Sequence, residues 1–165
     1  MSWILEDMNG NTLHVHFEYL TREDTDSFST ANGWEEGFHW EVYLAQGSSF
    51  EAFKLVDKHG YIHGCIAYRK DFDNLFVEVA LVEKAPIHRR GSLYINVGKI
   101  LLAQAYKTSF DCQFDGYVVL TPKSKLIEYY TNVYRATFIG NVNHHPRYLL
   151  DPAVGRSLIV LYYKH

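Results

Sequence analysis

APIHRRGSLYINVGKILLAQA, residues 85–105, passes from a loop straight into a helix. Arg89, Arg90 and Gly91 come first. Gly98 follows at the first turn of a segment whose apolar residues recur at three- and four-residue spacing. Val97, Ile100, Leu101, Leu102, Ala105 and Tyr106 form that stripe, which predicts a helix over 95–110. Directly upstream, LFVEVALVE (75–83) is a strand apolar at nearly every position, suited to the interior of a sheet rather than its edge. A basic, glycine-spaced turn between strand and helix has the features of an anion site. The helix start offers unpaired N–H groups and the positive end of its dipole. Glycine permits close approach of a phosphate, and arginine adds bidentate charge. Asn96 and Lys99 complete the set. A solvated basic turn, its glycines only redirecting the chain, is the alternative reading. The spacing is neither the GxGxxG of dinucleotide folds nor a P-loop, because no Gly-Lys-Ser/Thr closes it.

Upstream, TLHVHFEYL (12–20) alternates as a half-buried strand, and 21–33 is a polar surface loop. WEEGFHWEVYLA (34–45) is aromatic-dense and fits no single element. FEAFKLV (50–56) and YIHGCIAY (61–68) are strands joined by the turn 57–60, and with 75–83 they predict an antiparallel meander. Downstream, DGYVVLT (115–121) is a short buried strand. Thr121-Pro122 is a capping hydroxyl followed by proline, which predicts a helix through KSKLIEYYTNVY. A short strand near 136–139 and an extended RYLL (147–150) follow, and Asp151-Pro152 repeats the cap signature before a last helix. The expectation is one α/β domain over 1–165, with a mixed, mostly antiparallel sheet flanked by helices.

The 165 residues are 47% hydrophobic and 16% aromatic, enough to build a core without staples. A net charge of −3 supplies no global field toward nucleic acid or anionic membrane. Two cysteines, Cys65 and Cys112, suit a reducing compartment. MSWILEDMNG has neither the basic start nor the apolar run of a signal peptide, and no stretch approaches a membrane span. The expected location is cytoplasmic, without nucleic-acid or membrane partners.

Residues 50–163 resemble the GNAT superfamily of acetyl-coenzyme A-dependent N-acetyltransferases. VEKAPIHRR…YINVGKILLAQA is similar to that fold's fourth strand, pyrophosphate loop and following helix. It resembles in particular a small bacterial branch with a Glu-x-Ala-Pro strand end, here Glu83, Ala85 and Pro86. That branch's Tyr-x-Gly-Val-Gly loop end corresponds to Tyr94, Asn96, Val97 and Gly98, with Asn96 in place of the first glycine. DGYVVLTPKSKLIEYY is similar to the branch's fifth strand and next helix, and GWEEGFHW (33–40) to an aromatic segment near its N-terminus. The first 45 residues match poorly and form the expected acceptor-side segment.

The resemblance implies acetyl transfer from acetyl-coenzyme A to a primary amine, small-molecule or peptide, by direct attack in a ternary complex, without metal. A homodimer is compatible with it. Backbone N–H groups around Val82, Glu83 and Lys84 hold the cofactor arm, one serving as oxyanion donor. Arg89, Arg90, Gly91, Tyr94, Asn96, Val97, Gly98 and Lys99 form the loop site. Tyr130 aligns with the family's proton-donating tyrosine, and Tyr129 is the fallback. Glu83, Glu78 or water serves as base. Strand alternation puts the two glutamates on opposite faces unless a bulge intervenes. An Asn96 side chain either crowds the pyrophosphate or adopts the left-handed backbone in place of glycine. A noncatalytic GNAT-like domain, binding acyl-coenzyme A or a protein, is the alternative. His14 with His16, and His144 with His145, have no third ligand at metal spacing. Cys112 is a nucleophile candidate best read as a bystander. Glu23, Asp24, Asp26, Glu35 and Glu36 are a solvated acidic face or a lure for a cationic amine.

Overall fold

The computed structural model describes residues 1–35, 37–89 and 93–165. Their strands are β1 (Ser2–Glu6), β2 (Thr12–Tyr19), β3 (Glu51–Asp57), β4 (Ile62–Asp71), β5 (Phe76–Lys84), β6 (Val118–Leu120), β7 (Thr137–Val142), β8 (His145–Leu150) and β9 (Tyr163–Lys164). The α-helices are α1 (Arg22–Asp26), α2 (Val97–Asp111), α3 (Ile127–Tyr134) and α4 (Pro152–Tyr162). The strands form one sheet in the order β7-β8-β6-β5-β4-β3-β2-β1-β9. Neighbours are antiparallel except β5 and β6, which run parallel. The expected mixed sheet and its β3–β4–β5 meander are therefore present. No described helix is long and apolar enough to cross a membrane.

Local chemistry accounts for several boundaries. Asp151 caps α4 by accepting the Ala153 amide, with Pro152 at the first helical position. Thr121-Pro122 does not act the same way. The chain stays extended past Pro122, a 3-10 turn spans Ser124–Leu126, and α3 opens at Ile127 without a side-chain cap. The polar loop after β2 contains α1, closed by a reciprocal Thr21–Asp24 capping box. β1, whose hydrophobic Trp3, Ile4 and Leu5 are all buried, sits between β2 and β9.

Each face of the sheet has its own core. On one, α2 and α4 pack against Leu5, Leu55, Ile66 and Val77. Gly64 allows the close approach, since a Cβ there would lie 2.9 Å from Leu101 Cδ1 and 3.0 Å from the Glu83 carbonyl. On the other face, the segment after β2 folds over Cys65 and Ala67 and inserts Trp40, which is 1% exposed.

Two irregularities shape the cleft. β5 and β6 are paired only through Val77–Val79 and Val118–Leu120, so the strands part beyond Val79. At that point β5 bulges: Val79 faces Tyr68 and Leu81 faces Ala67, leaving Ala80 unopposed. The extra residue reverses the alternation. Val77 and Val79 face α2 before the bulge, and Val82 does so after it.

Candidate active site

A cleft of about 470 Å³ lies between the diverging end of β5, the start of α2 and the near side of α3. Val82, Lys84, Tyr94, Val97, Gly98 and Lys99, all candidates from the sequence, line it. Tyr129, the fallback donor, joins them, as do Leu102, Leu126 and Tyr134, to which the sequence reading gave no role in the site.

Three features of this cleft suit a phosphate-bearing acyl carrier. Asn96 is the N-cap of α2 but makes no side-chain cap hydrogen bond, so its side chain leaves the first-turn amides open. A Cβ added to Gly98 would meet only Lys84 Cδ, at 3.9 Å, so the glycine keeps space open on the cleft side rather than relieving a clash. Beyond the bulge, Ala85 donates its amide to His63 on the β4 side. Alternation then turns the Lys84 and Val82 amides away from β4, toward the gap left by β6. Val82 and Lys84 thus fit the backbone-donor role, whereas the Glu83 amide points the other way.

Tyr130 lines this cleft and also a second hollow of about 170 Å³ on the outer side of the gap, between Phe38, Leu81 and Pro122. Burial, with a smaller contribution from neighbouring Tyr129, raises its pKa to about 12. The hydroxyl stays protonated at every ordinary pH. Tyr129 packs edge-on against it at 5.4 Å and is more exposed.

Other sequence candidates serve different ends. The Ala80 bulge puts Glu78 and Glu83 on the same face, but neither is a free carboxylate. Glu78 binds Arg69 at 2.6 Å and Arg147 at 3.2 Å. Glu83 is 4% exposed and accepts from the Trp40 indole at 2.7 Å and the Glu35 amide at 2.8 Å. Arg89 completes that set, pairing with Glu83 and donating to the Gly33 carbonyl at 2.6 Å. Glu83 and Arg89 therefore clasp the segment around 33–40 to the end of β5 on the face away from the cleft. Arg89→Ala strands a buried carboxylate, at an expected cost of about 3 kcal/mol. A urea midpoint checks it, with Glu83→Gln in the same background recovering part of the loss. The salt dependence of ligand binding should not change with it.

Asn96 is not a left-handed residue, and its side chain is engaged by β1. Its φ is −122°, and it is 1% exposed. Oδ1 accepts the Glu6 amide at 2.9 Å and Nδ2 donates to the Ile4 carbonyl at 3.0 Å, fastening the loop end to β1. Ile95 donates to the Glu6 carbonyl beside them. Arg90, Gly91 and Glu36 lie outside the described residues.

A buried relay went unread in the sequence. Asp57 accepts the His59 and Tyr61 amides, and with His63 these bonds outweigh burial to lower its pKa. An ionised carboxylate only accepts, so His63 Nε2 is the donor in its 2.8 Å bond to Asp57. The other ring nitrogen of His63, Nδ1, lies 2.9 Å from His88 Nε2. This leaves His88 Nδ1 buried without a partner among the described residues. Burial first, then the charges of His63 and Lys84, lower the His88 pKa to about 4. Tyr94 is the other ring against it. The unfolded chain takes up a proton near pH 6.5 that the folded chain refuses until about pH 4. Stability is therefore complete above about pH 6.5 and falls by roughly 2–3 kcal/mol on descending to about pH 4. His88→Phe should flatten that slope in denaturant titrations at several pH values.

Among the described residues no cluster of three metal-ligating side chains occurs. His14 bonds Ser2, His16 bonds Glu18, and His144 is exposed in the turn between β7 and β8. Cys112 is a half-buried C-cap of α2. Asp24 is engaged by Lys54 at 2.9 Å.

No protein-family model matches the chain, and no curated protein matches it in sequence. Solved structures match in shape. A GNAT-family acetyltransferase from Staphylococcus aureus Mu50 is 14% identical with a TM-score of 0.56, over 82% of this chain and 98% of that one. A mutant of the spermidine N-acetyltransferase SpeG from Vibrio cholerae is 13% identical with a TM-score of 0.60, over 87% and 98%. A nourseothricin acetyltransferase is 13% identical with a TM-score of 0.54, over 82% and 97%. The chain has the fold these proteins share.

Proposed function

We propose that this chain, carrying the GNAT fold, is an N-acetyltransferase that moves an acetyl group from acetyl-coenzyme A to an amine in a ternary complex. The observation that carries the reading is Tyr130, a residue that lines both the cleft beside the α2 N-terminus and the hollow on the outer side. A donor reached from both sides is what transfer between two bound partners requires. One neighbour is named as an N-acetyltransferase of spermidine, an amine, which supports an amine acceptor here.

Acetyl-coenzyme A supplies an activated acyl thioester. The α2 first-turn amides, with Lys84 and Lys99, hold its phosphates. The outward-turned Val82 and Lys84 amides orient the acyl carbonyl and receive the charge that develops on its oxygen. Tyr130 donates a hydrogen bond to the departing sulfur. Water takes the acceptor's proton, since Glu78 and Glu83 are both engaged in ion pairs. That engagement also favours a second reading, acyl-coenzyme A binding without turnover. Coenzyme A should raise the melting temperature, and acetyl-coenzyme A with an amine panel should release free thiol. No melting shift sinks both readings, and a shift without thiol release leaves only the second.

A further inference from the structure

Resting on the acetyl-transfer reading, we propose that the acceptor is a small apolar α-amino acid whose carboxylate is held by Lys123. The outer hollow is walled by apolar side chains, among them Phe38, Leu81, Leu120 and Pro122, with Tyr130 shared with the cofactor cleft. At about 170 Å³ it has room for a small side chain. Its one cation among the described residues is Lys123, exposed and carried 4.5 Å over the Phe38 ring. The ring attracts the ammonium without neutralising it, whereas a carboxylate would neutralise it. No described acidic residue lines the hollow. The two acids that flank the lining positions in β5 are both taken, Glu78 by Arg69 and Arg147 and Glu83 by Trp40, the Glu35 amide and Arg89.

These features oppose a polycationic acceptor, which would meet a like charge and, among the described residues lining the hollow, no counterion. They suit an amine that carries its own anion. Lys123 then has two effects. It pairs with the carboxylate, and its charge disfavours the neighbouring ammonium, lowering the pKa of the amine to be acetylated. An amine eased toward its neutral form needs no carboxylate base, in keeping with the engagement of both glutamates. The balance closes: the C–S bond of the thioester breaks, a C–N bond forms, and the products are an N-acetyl amino acid and coenzyme A thiol. One ammonium proton goes to water, and the second, lost from nitrogen after attack, ends on the thiol.

The test is thiol release from acetyl-coenzyme A with the apolar L-amino acids, their amides and spermidine. The free acids should give the highest kcat/KM. Lys123→Met should lower the acid-to-amide ratio of kcat/KM by at least about tenfold, the scale of one charge-assisted contact, and Lys123→Arg should restore it. Spermidine or the amides outrunning the acids would overturn the proposal, as would an unchanged ratio in Lys123→Met. A coenzyme A melting shift without acetylation of any acid overturns the acceptor assignment and leaves the cofactor site standing. Absence of that shift removes the reading beneath it as well.

Discussion

Gly98→Val should abolish coenzyme A binding in a protein that remains folded. The position is in the first turn of α2, and the space beside its missing Cβ holds only the flexible Lys84 side chain. Valine is a slightly better helix residue than glycine, so the helix gains a few tenths of a kcal/mol. Its two methyls would occupy the approach to the α2 amides, where a phosphate must come within hydrogen-bond distance. Affinity should fall by at least about 10²-fold, the equivalent of two charge-assisted hydrogen bonds. Calorimetric titration reads the affinity, and circular dichroism with a melting curve confirms the fold. Unchanged affinity in a folded variant would place the ligand elsewhere.

Tyr130→Phe should lower turnover by roughly 10²- to 10⁴-fold, the range of general acid assistance, with the Michaelis constant for acetyl-coenzyme A near its original value. The ring stays, so its packing against Tyr129 and Tyr134 stays. Burial adds a detail about pH. With a pKa of about 12, the hydroxyl is a weaker acid than a free tyrosine and far weaker than a thiol of about 8.5. Complete transfer to the leaving sulfur is uphill, so the hydroxyl acts by sharing its proton while charge builds. Its ionisation places no alkaline limb in the pH–rate profile below about pH 11. Full turnover in the variant, with chemistry rate-limiting, would reduce Tyr130 to a packing residue and pass the role to Tyr129 or water.

The sequence carried the meander, α2 and α4 because each rests on local signals: period-two strands, a three- and four-residue stripe, and an Asp-Pro cap. It also carried Val82, Lys84, Tyr94, Val97, Gly98, Lys99 and Tyr130, which the fold gathers into one cleft. It missed what depends on distant partners. Arg89 looks like a phosphate ligand until the buried Glu83 is seen to hold it. Asn96 looks like a misplaced loop residue until β1 supplies two backbone partners about ninety positions away in the chain. His63 and His88 lie 25 residues apart and join no motif. The Thr-Pro at 121–122 misled because a cap signature specifies only where a helix can start, and here the chain stays extended past Pro122 until the turn at Ser124–Leu126.

The unopposed Ala80 has a consequence for kinship. Counting along β5 in twos gives one set of inward side chains when begun at Phe76 and the opposite set when begun at Lys84. Two chains of equal length across this strand, differing only in where the surplus residue falls, would present different side chains to their clefts at matched positions. Where the one surplus residue falls thus decides which side chains of the strand meet a ligand.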